Sequence, residues 1–281
     1  MKSQNFQRTA ALLTVLLASA VNANAADWSD TYIGYRYGTS FAEPYEGNSI
    51  SKNIFNLSGV SGYSYGTNFF NVDMLMSNSN DPSAVGATSG AQETYVVYRN
   101  TVDWSKISGA SMKMGILRDA GATFGFDYNT KTDAGYNSKK RMLVAGPTLM
   151  FDVPGFLNVS VLALQESNAP YNGFSHVSTP RYTYKVHPEL DVVWGVPFTL
   201  GVPLLFKGYG DIIASKGLDE FGNQTATETH IDMEVMYSIT KSFSAGVEYE
   251  YWKNKFGNNA SGPAGSGAFA KTPMVRVEYH F

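Results

Sequence analysis

The sequence predicts an all-β fold, a single antiparallel transmembrane β-barrel of twelve strands with long extracellular loops and short periplasmic turns. Three observations predict it. Many stretches alternate apolar and polar residues with the period of two that a strand imposes. Beyond residue 25 no run reaches 18 consecutive apolar residues, so no transmembrane helix is expected, whereas a barrel strand of about 10 residues hides half its length from a hydropathy scan. The connections between the alternating stretches are short and long by turns.

The first 25 residues read as an export signal. Lys2 and Arg8 make a basic leader, Ala10 to Ala20 (AALLTVLLASA) is apolar but too short to span a bilayer, and Ala23-Asn24-Ala25 has the small-x-small form that a signal peptidase cuts. The expected mature chain therefore begins at Ala26 and runs to Phe281 as one barrel domain, since no Pro-rich, Ser-rich or charged linker divides it.

In chain order the predicted strands are Tyr32 to Phe41, Asn53 to Gly62, Thr67 to Ser77, Glu93 to Asp103, Gly121 to Thr130 and Arg141 to Phe151. They continue with Phe156 to Glu166, Tyr182 to Trp194, Phe198 to Ala214, Ile231 to Ile239, Phe243 to Tyr251 and Pro273 to Phe281. Trp104 to Arg118, which would make an odd thirteenth strand, is assigned to an elaborated turn. Short connections at Asp152 to Gly155, Gly195 to Pro197 and Thr240 to Ser242 contrast with long ones at Ser167 to Arg181, Ser215 to Glu228 and Asn254 to Thr272. Pro147, Pro188 and Pro203 lie inside predicted strands, where bulges that flip the parity are expected. The terminal MVRVEYHF sets Val275, Val277, Tyr279 and Phe281 on one face, and a last strand that must pair with the first accounts for an aromatic terminus at the periplasmic rim. Trp28, Trp194, Phe198 and Tyr279 are expected at the same rim.

Polarity decides which face looks inward. A basic side chain on the lipid face at the midplane costs about 2 to 4 kcal/mol, so the charged face must line the lumen. That places Arg36, Asp73, Arg99, Asp127, Glu234, Glu248, Glu250 and Arg276 inside, with acids outnumbering bases along the strands. Carboxylates this crowded call for counter-charges or bound cations. Phe69, Tyr95, Tyr209 and Trp252 share the inward parity, where rings can stack on flat solutes. The solute-lining candidates are thus Arg36, Phe69, Asp73, Tyr95, Arg99, Asp127, Glu234, Glu248, Glu250 and Arg276.

Composition narrows the function. There are no cysteines, hence no disulfide, thiolate site or cysteine nucleophile. The formal charge is −3; without Lys2 and Arg8 the chain holds 19 basic against 24 acidic residues, or −5, no footprint for nucleic acid. Among His176, His187, His230 and His280 only His176 has a serine close in sequence, Ser178, with no acid to orient the ring, and none shows zinc spacing. No phosphate loop or dinucleotide fingerprint occurs. No enzyme, metal or cofactor is expected.

The Asp27-Trp28-Ser29-Asp30 start, the Tyr65 to Asn78 stretch (YGTNFFNVDMLMSN), Gly125 to Thr130 (GFDYNT) and the Val275 to Phe281 close resemble the nucleoside-specific channel-forming outer-membrane proteins of the Tsx type. That resemblance implies a monomeric barrel in the outer membrane of a Gram-negative bacterium, in contact with its lipid and passing nucleosides passively through a narrow lumen. A general porin, a closed-lumen receptor or adhesin, and more remotely a barrel lipase are the alternatives.

Overall fold

The computed structural model describes residues 26–81 and 90–281, so the expected export signal lies outside the described residues. Twelve long strands form the wall: β1 (Trp28–Phe41), β2 (Ile50–Tyr63), β3 (Gly66–Ser77), β4 (Gln92–Asp103), β5 (Leu117–Thr132) and β6 (Arg141–Phe151). They are followed by β7 (Phe156–Asn168), β8 (His187–Leu200), β9 (Val202–Ile213), β10 (Glu228–Ser238), β11 (Phe243–Lys253) and β12 (Phe269–His280). Each pairs antiparallel with its neighbours in sequence, and β12 returns to β1 with His280 opposite Tyr32 and Met274 opposite Gly38, so the sheet is closed. Closure removes both edges, which would otherwise leave backbone groups unsatisfied in lipid. The backbone N–H of Phe281 donates to Thr31 O at 3.0 Å, so the ladder runs to the last residue.

Connections 42–49, 133–140, 169–186, 214–227 and 254–268, with residues 78–81 and 90–91, lie at one end of the barrel. At the other end are 64–65, 104–116, 152–155, 201 and 239–242, together with Ala26 and Phe281. The one elaborated turn is the segment after β4: helix α1 (Trp104–Ser108) ends on left-handed Gly109, φ 73°, and the Ser105 hydroxyl bonds Asp119 at 2.5 Å. Above the long-loop end, Tyr136–Asn137, Tyr171–Asn172 and Val177–Ser178 form a small separate sheet.

Two expectations about the strands are corrected. The eighth strand does not turn at Gly195 to Pro197; β8 continues to Leu200 and the hairpin turns on left-handed Gly201, φ 71°. Trp194 is consequently well inside β8 and packs on Phe206, away from the rim. The prolines do not bulge either: Pro147, Pro188 and Pro203 hold register with Ala122, Ala163 and Thr199 respectively. A proline removes one ladder donor without adding a residue, so parity survives it. Register shifts fall instead between Gly38 and Phe41 and between Leu117 and Asp119. The first turns Phe41 inward onto Ile50 and Ile54.

Sidedness follows the alternation. Ile33, Phe55, Phe124, Phe126, Leu143, Leu149, Val161, Val247 and Val275 are exposed on the outer wall, while Asp127, Glu234, Glu248, Arg276 and Glu278 are buried inside. A soluble sheet does the reverse, since a wall of exposed aliphatic and aromatic side chains is tolerated only in hydrocarbon. The interior is not uniformly polar, contrary to the sequence expectation. Phe41, Ile50, Ile54 and Met274 make one buried apolar cluster inside it, and Met142, Val144, Leu162 and Leu164 another. Side chains facing each other across a narrow lumen can bury one another, so inward does not require polar.

Candidate functional site: the lumen

The strand ladder brings eight charged side chains from six strands into one network, Asp232 among them at 3.8 Å from Arg36. Arg36 on β1 bonds Asp73 on β3 at 2.5 Å and Glu248 on β11 at 2.6 Å. Arg276 on β12 bonds the other oxygen of Glu248 at 2.9 Å and Glu278 at 2.7 Å, and its Nε lies 3.1 Å from Glu234. Lys207 on β9 bonds Glu278 at 2.7 Å and lies 3.4 Å from Glu234. Tyr32 is set between these cations: its hydroxyl accepts from Arg276 at 3.1 Å, and Lys207 Nζ sits 4.7 Å from its ring centre. Register explains the convergence, for Glu234 is paired directly with both Lys207 and Glu248. Asp232, Glu234 and Glu248 bring carboxylate oxygens within 4.8 Å of one another, and the neighbouring Arg36, Arg276 and Lys207 supply the counter-charge that the sequence called for.

The opposite wall is built differently. Arg99 on β4 pairs with Asp127 on β5, whose other oxygen accepts from Tyr95 Oη at 3.2 Å. Tyr95 packs against the Met142, Val144, Leu162 and Leu164 cluster. Below them the hydroxyls of Thr101, Thr123, Thr148 and Ser160 form a continuous chain with steps of 2.8, 2.6 and 2.9 Å. Phe69 is directly paired with Arg99 and so shares its inward face, yet 39% of its surface is accessible. Val97, Arg99, Asp191, Val193, Tyr209 and Asp211, inward at mid-strand, are likewise only half-buried. Open space therefore runs beside these residues.

A third tier closes in at the long-loop end, and sequence reasoning missed most of it. Glu43 is held by Lys52 at 2.8 Å and Lys255 at 3.1 Å, Lys131 bonds Asp81 at 2.7 Å, and Glu166 takes Lys216 at 2.5 Å and Lys140 at 3.6 Å. Burial works against the Glu43 carboxylate, but Lys255, Lys52 and Lys131 together hold it well below the usual carboxylate range. The aromatic groups stack beneath: His230 lies on Trp252 with centroids 3.9 Å apart, Tyr209 meets His230 edge-on at 5.2 Å, and Glu250 accepts from His230 at 3.4 Å. Lys255 Nζ sits 4.3 Å from the Trp252 ring centre and Lys140 Nζ 3.6 Å from that of Phe256.

All ten lining candidates face the lumen. Arg36, Asp73, Glu234, Glu248 and Arg276 share the first network, Phe69, Tyr95, Arg99 and Asp127 the opposite wall, and Glu250 the aromatic tier. Two corrections concern the surroundings. The lysine tier brings Lys52, Lys131, Lys140, Lys216 and Lys255 into an interior expected to be short of bases. Trp252, expected as a stacking surface for solute, is already engaged by His230 and Lys255. Lys52 could have been found by extending the alternation of Ile54 back to Ile50; Lys140, Lys216 and Lys255 stand outside the wall strands and carry no periodic signal. The histidines bond a tyrosine, a carbonyl or a carboxylate: His176 to Tyr171, His187 to Lys185 O, and His280 to Asp30.

No family model and no curated protein matches the chain. Solved structures do. An active-site mutant of the outer membrane phospholipase A from Escherichia coli is 12% identical, with 92% of each chain covered and a TM-score of 0.50. The translocator domain of the autotransporter NalP from Neisseria meningitidis is 12% identical over 100% of this chain and 98% of that one, TM-score 0.45. The KdgM porin is 10% identical over 89% and 99%, TM-score 0.42. At such identities the likeness is one of fold, a closed antiparallel barrel.

Proposed function

We propose that the protein is a passive channel in the outer membrane of a Gram-negative bacterium, working as a monomer and admitting small hydrophilic solutes, with nucleosides the favoured cargo. One observation carries the reading: a ring on the inward face, Phe69, stays 39% accessible beside the charged pair of Arg99 and Asp127. Such a surface offers a flat solute stacking on one side and hydrogen bonds on the other, weak enough to release what it draws in. No energy source or cofactor enters this mechanism. Porins among the solved structures of similar fold make a channel a natural use of it, and a general porin differs only in lacking the preference.

The lysine tier favours a second reading. Lys52, Lys216 and Lys255 side chains are only 3% exposed under the long loops, as in a barrel shut at its outer mouth that acts as a receptor or adhesin. A lipolytic barrel is less favoured, since His176 bonds Tyr171 instead of Ser178. Liposome swelling separates these readings. Adenosine should enter faster than glucose, and Phe69→Ala should abolish the difference. Equal rates for the unaltered protein would reduce it to a general pore, and absence of any conductance would favour the receptor.

A further inference from the structure

The outer wall carries a polar feature that the channel reading does not use. Arg141, the first residue of β6, and Arg181, in the connection after β7, both face outward at the long-loop end. They line a groove of about 620 Å³ with Gln165, Ser167 and Tyr128 around them and Val96, Phe126 and Leu143 below. Arg181 is fixed in place, donating to Ser167 Oγ and to Lys139 O, each at 3.0 Å. Among the described residues no carboxylate forms an ion pair with either guanidinium. Burial and the neighbouring Arg141 charge lower the Arg181 pKa, as expected for two like charges held together without an anion. Exposed Lys139 adjoins them.

We propose that this groove binds the headgroup of a phosphorylated, anionic lipid of the surrounding leaflet, with an acyl chain lying against Leu143 and Phe126. Planar guanidiniums recognise phosphate through paired hydrogen bonds, and two of them at the boundary of the apolar wall stand where a headgroup meets its chains. A soluble anion would use the arginines alone, but the floor of the groove is apolar and continuous with the outer wall, which makes a lipid its occupant. The inference rests on the membrane-barrel reading and not on the identity of the cargo.

The test is lipid retention by the full chain in detergent, read by native mass spectrometry with a diphosphorylated glycolipid and with zwitterionic phosphatidylethanolamine. The unaltered protein should keep the phosphorylated lipid at least tenfold more tightly than the zwitterionic one. Arg141→Gln with Arg181→Gln should abolish that preference while leaving heat-modifiable gel migration and solute flux unchanged. Arg141→Gln alone, which removes no intramolecular hydrogen bond shown by the structure, serves if the double variant folds poorly and should halve the preference or more. Equal retention of the two lipids, or retention undiminished in the variants, overturns the site. Complete displacement by millimolar inorganic phosphate overturns the acyl-chain component. A protein that conducts solutes yet shows no lipid preference refutes only this inference.

Discussion

Replacing Arg276 by methionine should destabilise the barrel by about 4 kcal/mol, within the 3 to 5 kcal/mol that follows removal of one partner from a buried ion pair. Its side chain is 3% exposed and meets Glu248 at 2.9 Å, Glu278 at 2.7 Å and Glu234 at 3.1 Å, besides Tyr32 Oη. Methionine fills similar volume, so the loss is electrostatic and not a cavity. After the change these three carboxylates share two cations: Arg36 still serves Glu248 at 2.6 Å, and Lys207 still serves Glu278 at 2.7 Å and Glu234 at 3.4 Å. One negative charge is left without a counter-charge in a confined space. Reversible urea unfolding in lipid vesicles, followed by tryptophan fluorescence, reads the loss. Adding Glu248→Gln to Arg276→Met should recover at least about 1 kcal/mol relative to the sum of the single changes, because the two groups are in direct contact. In planar bilayers Arg276→Met should also shift the reversal potential toward cation selectivity. A loss below about 1 kcal/mol, or strict additivity in the double variant, would refute the argument that this network holds the wall together.

Other outcomes follow from other tiers. Since the folded-state Glu43 carboxylate lies well below the usual range, the unfolded chain binds the extra proton between the two values, and stability rises with pH there. The contribution is complete above the unfolded value of about 4.3 and is lost as pH falls through the folded one, so the thermal gel-shift midpoint should drop less on acidification in Glu43→Gln than in the unaltered protein. Phe69→Ala should lower adenosine entry several-fold in liposomes while glucose entry holds, whereas Trp252→Ala, whose ring His230 already covers, should act mainly on stability. Asn100→Leu should cost about 1 to 2 kcal/mol in urea unfolding, because Tyr63 Oη and Asn68 Oδ1 lose partners at 3.1 and 2.8 Å.

Alternation alone determined much of this protein. Period two in stretches such as Ile231 to Ile239, with long and short connections taking turns, dictated the strand number, the closure of the last strand on the first and the side of the wall that carries charge. The ten lining candidates were legible for the same reason: a strand has only two faces, so parity names the inward set. What parity cannot give is distance across the barrel. Which acid meets which base depends on register between strands far apart in sequence, as where Arg36 reaches Glu248 and Lys207 reaches Glu278. Nor can it place loop residues, so Lys140, Lys216 and Lys255 entered the interior unannounced, and Trp252 became covered by neighbours that no local pattern names. Local sequence decides which way a side chain points; only the closed wall decides what it finds there.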